Sequence, residues 1–209
     1  KMQLRYPRSS AYRAGFGLHD DSFGHTTLDG PYNGGVKQSW YFWPKVQSAG
    51  QSDFWQNGPM GGETFPGLQS SIFQPGYPAG TNEHQDFEDC VDITHATYMV
   101  HHNAFENNGY SGDELSNALA AHLHMGYQFR VTAVAVASTS PGLVLIDVTI
   151  EQTGVAPFYY PLNLVLSCPG TVEYLDGVEK LLPGNTRVFT FVDIPVNCLS
   201  SIEISLASD

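Results

Sequence analysis

From Gln128 to the end of the chain, apolar residues recur at every second position, and that period excludes helix for most of the stretch. In "GLVLIDVTIEQ", Val144, Ile146, Val148 and Ile150 share one face of an extended backbone, and Asp147, Thr149 and Glu151 share the other. "SSIEISLAS" alternates in the same way through Ile202, Ile204 and Leu206. Further strands are expected around 128–138, 160–168, 171–181 and 186–193, with turns at Ser140-Pro141-Gly142, Pro169-Gly170 and Pro183-Gly184-Asn185. Short strands at this spacing predict an antiparallel β-sandwich over residues 128–209.

Residues 1–127 follow a different pattern. Short apolar pieces such as "MQLRYP" and "AGFGLHDDSF" end abruptly in polar groups, as buried parallel strands do. "TNEHQDFEDCVDITHATYMVHHNAFENNG" predicts a helix capped by Asn82, with Phe87, Val91, Thr94, Tyr98 and Phe105 as its buried stripe. A second helix opens on a capping box, Ser111 with Glu114, and buries Leu115, Leu119 and Leu123 before Gly126 ends it. Between strand and helix lies "NGPMGGETFPG", which places Glu63 among glycines and prolines. That composition argues against a helix interior and against an ordinary central strand. It leaves a rigid turn that presents a carboxylate, or a surface loop with an incidental glutamate.

Composition narrows the partners. The net charge of −12, with only nine Lys and Arg, argues against nucleic acid, whose phosphates need cations to displace counterions. A cation, a neutral sugar or another protein fits better. No stretch approaches the ~20 apolar residues of a membrane helix. "KMQLRYPRSS" has neither the apolar core nor the cleavage site of a signal peptide, so a removed leader or a longer parent protein is expected. Cys168 and Cys198 both lie in the strand-rich part and are placed to bridge in an oxidising compartment, whereas Cys90 reads as a small buried residue. Neither His101-His102 nor His122 and His124 has the spacing that puts two ligands on one helical face, and GxGxxG, GxxxxGK and GxSxG are all missing. No metal or cofactor is expected.

The candidate chemistry lies at predicted strand ends. "GLHDDSFG" carries His19, Asp20 and Asp21, and glycoside cleavage needs two carboxyl groups, here Glu63 with Asp20 or Asp21. An acidic turn capping its own amides is the alternative. Arg5 and Tyr6 close another strand and would hold a carboxylate or a sugar hydroxyl. Trp40, Trp43 and Trp55 form one aromatic patch, either a local core or a platform for the flat face of a sugar.

Taken in order, "MQLRYP", "GLHDDSF…TLDGPYN", "GPMGGETF" and "LSNALAAHLHMGYQFRV" resemble a family of unknown function (DUF4832-like) that forms the C-terminal part of larger secreted, glycosidase-like proteins. The resemblance implies an α/β plus all-β chain: the C-terminal portion of a TIM-like (β/α) barrel over 1–127, with Gln3–Tyr6, Gly15–His19 and Pro59–Glu63 as its last three strands, then the sandwich. It further implies an extracellular carbohydrate-active module, either glycoside hydrolase-like or glycan-binding. Its barrel would be completed by a missing N-terminal segment or by another copy of the chain. The alternative is a non-catalytic subunit of an extracellular filament or surface assembly.

Overall fold

A computed structural model describes residues 3–4, 16–29, 38–80, 84–103 and 109–208 of the chain. It divides into two compact units, Lys1–Gly126 and Tyr127–Asp209.

The first unit is built on one parallel sheet in the order β1-β2-β3-β4, with β1 at Gln3–Leu4, β2 at Gly17–Phe23, β3 at Met60–Thr64 and β4 at Ala96–Val100. Helix α1 (Phe42–Ser48) lies between β2 and β3, α2 (Phe87–Thr94) lies between β3 and β4, and α3 (Gly112–His124) follows β4. Leu18 and Met60, neighbours in register on β2 and β3, pack with Phe42, Val46 and Phe54 into a small core.

The expected portion of a (β/α) barrel does not form. The strands make an open sheet, only three helices occur among the described residues, and the remainder is β-rich. Barrel closure requires strands that tilt and stagger in step around an axis. Here β1 has two residues, β3 and β4 have five each, and the β2–β3 register breaks between Asp20 and Phe23.

"GPMGGETF" differs from what its composition suggests, while the parallel strand that the resemblance implied over Pro59–Glu63 is present as β3, beside β2. It is neither a turn nor a loop, because β3 sits between β2 and β4 as a central strand. Its glycines serve close approach. A Cβ on Gly61 would stand 2.7 Å from the Tyr98 ring, which crosses over it from β4, and one on Gly62 would run into the Asp20 backbone.

The long helix expected from Asn82 is cut short at both ends, although Asn82 and Phe105 themselves lie outside the described residues. Asp86 is the cap: its Oδ1 accepts from the amides of Glu88 (2.9 Å) and Asp89 (3.0 Å). His95 adopts left-handed φ (53°) with its ring stacked 3.7 Å from that of Trp55, and Ala96–Val100, with strand-forming Thr97, Tyr98 and Val100, then joins the sheet. The capping box at Ser111 does not form either, as its side chain makes no cap bond. Helix α3 buries Ala118 and Ala121 and leaves Leu123 68% exposed. Small residues let it approach α2 closely, and Asn117 anchors it by donating to the Phe73 carbonyl (2.9 Å).

The second unit has two antiparallel three-stranded sheets, β5-β6-β9 and β10-β7-β8. The strands are β5 (Phe129–Ser140), β6 (Leu143–Gln152), β7 (Asn163–Cys168), β8 (Thr171–Leu175), β9 (Thr186–Pro195) and β10 (Glu203–Ala207). Val144, Ile146, Val148 and Ile150 face one core together with Leu164, Leu166, Phe189 and Phe191. Cys168 at the end of β7 is disulfide-bonded to Cys198, with Cα atoms 5.4 Å apart, and Cys90 is a free buried thiol. No helix among the described residues is long and apolar enough to cross a membrane.

Candidate functional site

The second half of β2, from Asp20, and the loop that follows it organise the candidate site. Asp20 is 3% exposed, and both of its carboxyl oxygens are engaged. Oδ1 accepts from the Ser22 amide (3.0 Å) and Oδ2 from the Thr27 hydroxyl (2.6 Å). Thr27 Oγ1 in turn accepts from the Gly24 amide (2.9 Å), so the chain from Ser22 to Thr27 is wrapped around one buried acid. Gln85, fully buried, clamps the same loop. Its Oε1 accepts from the amides of Thr27 (3.2 Å) and Leu28 (2.8 Å), while its Nε2 donates to the Leu28 carbonyl (2.8 Å).

This loop holds the start of α1. The amides of Phe42 and Trp43 donate to the carbonyls of Thr26 (3.0 Å) and Thr27 (2.8 Å). Just ahead stands Trp40, 55% exposed, its indole N–H donated to Gln38 Oε1 (3.1 Å) and its ring edge-on to Tyr41. The result is a cavity of about 170 Å³ lined by His19, Asp20, Asp21, Ser22, Thr26, Trp40, Phe42 and Lys45.

His19 is held from the side by β4. The Tyr98 hydroxyl donates to the Leu18 carbonyl (3.1 Å) and lies 3.1 Å from His19 Nδ1. With that hydroxyl proton committed to Leu18, His19 Nδ1 can share the contact only as a donor. The absent side chain at Gly61 is what lets Tyr98 reach across.

Burial raises the Asp20 carboxyl from 3.8 to about 6, and Asp21 beside it adds to the rise. The hydrogen bonds from Thr27 and Ser22 and the charge of Lys45 pull the other way without cancelling it. The Tyr98 hydroxyl is pushed up as well, first by burial and then by Asp20.

Of the residues singled out in the sequence, His19, Asp20, Asp21 and Trp40 come together around this cavity. Glu63 does not line it. Asp20 stands opposite Gly62 in the ladder, so the next residue along β3 points from the other face of the sheet. There the Glu63 carboxylate faces His102 Nε2 at 3.6 Å. Trp43 and Trp55 pack against the core of Leu18, Phe42, Val46, Phe54 and Met60, the local-core alternative for those two rings. Arg5 and Tyr6 lie outside the described residues.

Sequence reasoning missed Thr27, Gln85, Lys45 and Tyr98. For Thr27 the signal was present: an aspartate followed by Ser-Phe-Gly-His-Thr-Thr is a loop of donors waiting for an acceptor. Gln85 and Tyr98 act through tertiary contacts that no local pattern announces.

No protein-family model matches the chain, and no curated protein matches it.

Proposed function

We propose that the cavity at the end of β2 binds a carbohydrate, with Trp40 as its stacking surface. The observation that carries this reading is a largely exposed tryptophan, fixed by its own hydrogen bond, at a cavity lined by a histidine, two carboxyl groups and a lysine. An indole face covers the apolar C–H face of a sugar ring, and the polar residues opposite it match the ring's hydroxyls. At about 170 Å³ the cavity is smaller than the ~300 Å³ at which drug-sized pockets begin, so it takes one sugar ring with the rest of a glycan outside.

Binding is favoured over cleavage. Glycosidic hydrolysis needs two carboxyl groups flanking one bond. Glu63 does not line the cavity that Asp20 and Asp21 line, and Asp20 has both oxygens committed to its own loop. The Cys168–Cys198 disulfide supports an extracellular setting for this role, because such bridges persist in oxidising compartments.

The test uses calorimetry with a panel of neutral and acidic oligosaccharides. Trp40→Ala should weaken binding about five- to tenfold, in line with the ~1–1.5 kcal/mol of an aromatic contact. Glu63→Gln should leave binding unchanged. Loss of binding in the Glu63 variant with retention in the Trp40 variant would overturn the assignment.

A further inference from the structure

We infer that the free edge of β5 is a self-association surface, on which a second copy of this chain adds its own β5 antiparallel. This edge shares no residue with the glycan pocket. β5 pairs with β6 alone, and its other edge is unpaired among the described residues. Val131, Val134 and Val136 stand opposite Ile150, Val148 and Ile146, three of the most buried residues of the unit. Residues opposed in a ladder share a face, so these valines point the same way as the core. Yet they are 48%, 52% and 49% exposed. The core face of this sheet therefore runs on past its cover.

Native proteins protect such edges with charge, proline or short length. The other three sheet edges of this unit have that protection. β8 and β10 are five residues long and carry Glu173 and Glu203, and β9 carries Arg187, Asp193 and Pro195. β5 has twelve residues, no acid, no lysine and no proline, and its one charge, Arg130, lies near its start. Register shifts at Thr132 and Thr139 bracket an uninterrupted run, Ala133–Ser138, that is wholly uncharged.

Charge identifies the occupant. The chain carries −12, so most of its surface repels another copy of itself, and β5 is a long strand free of carboxylates. A basic partner would find no counter-charge on it. A two-fold axis at Ala135, perpendicular to the sheet, sets Val134 of each copy opposite Val136 of the other and Arg130 opposite Ser140. No like charges meet, β-branched pairs form on the core face, and two three-stranded sheets become one of six.

The experiment is sedimentation equilibrium of the full chain at low and high salt. A monomer–dimer equilibrium is expected that tightens as salt rises, because the two acidic copies are then screened from each other. The double variant Val134→Lys, Val136→Lys should weaken dimerisation at least tenfold while its thermal midpoint at monomeric concentrations stays at that of the parent chain. If that variant fails to fold, Ala135→Cys keeps the strand and should give a copy-to-copy product with a short bismaleimide, which Cys90, being buried, cannot supply. A chain that stays monomeric throughout, a dimer that salt dissociates, open-ended growth without a dimer plateau, or no cross-linked product would each overturn the inference.

Discussion

Asp20 sets the behaviour of the first unit at the residue scale. Its folded pKa of about 6 lies above the ordinary 3.8, so between those values the folded chain keeps a proton that the unfolded chain has released. Stability from this group therefore falls as pH rises from about 4 to 6 and is level above that window. The span is on the order of 3 kcal/mol, from roughly two pKa units at 1.36 kcal/mol each. Asp20→Asn should abolish that slope, read as the difference in urea midpoints between variant and parent at acid and neutral pH. His101 works in the opposite sense. Burial lowers it from 6.5 to about 4, so the stability it contributes is complete above the ordinary value and is lost as pH falls through the window. His101→Gln should remove that acid-side loss in the same titration. The chemical importance of Asp20 was legible, since an acid at a strand end before a donor-rich loop signals a cap or a site. That both oxygens would be spent on Ser22 and Thr27 depended on how the loop folds back, which spacing alone does not fix.

At the element scale β3 is the instructive case. Glycine and proline around Glu63 read locally as punctuation, yet the glycines sit in a central strand because neighbouring strands need the room. Local punctuation lost to packing there, whereas at Ala96–Val100 the helical spacing lost to strand propensity once His95 stopped α2. Gly61→Ala and Gly62→Ala should each cost about 3 kcal/mol or more in chemical denaturation, because each Cβ meets backbone that cannot move aside. Gly50→Ala is the control: its φ of +65° carries only local strain with nothing within 4 Å, so about 1–2 kcal/mol is expected. Alternation in β6 was fully legible, since a strand with one buried face must repeat every second residue. The same pattern could not announce that β5, its neighbour, would remain uncovered.

Across the whole molecule, the boundary between units falls where the sequence period changes, and each unit has its own core. Their responses to reductant should differ. The Cys168–Cys198 bridge spans 30 residues of the second unit, worth about 3–4 kcal/mol by loop entropy. Cys168→Ser with Cys198→Ser should lower the melting of that unit and leave the first unit's transition in place, as resolved by calorimetry. Barrel architecture could not be judged from motif order, because strand ends look alike in an open sheet and a closed one, and the difference lies in strand length and register. What remains of the site is smaller than expected: His19, Asp20, Asp21 and Trp40 around one cavity, with Glu63 on the other face of the sheet. The three tryptophans give the most direct test of that site. In a nitrogen-15 spectrum of the chain titrated with oligosaccharides, the indole N–H signal of Trp40 should shift on saturable binding while those of Trp43 and Trp55, packed on the core, stay still. Saturable sugar binding that moves Trp55 or Trp43 and leaves Trp40 in place, or no shift with any sugar, would contradict the account.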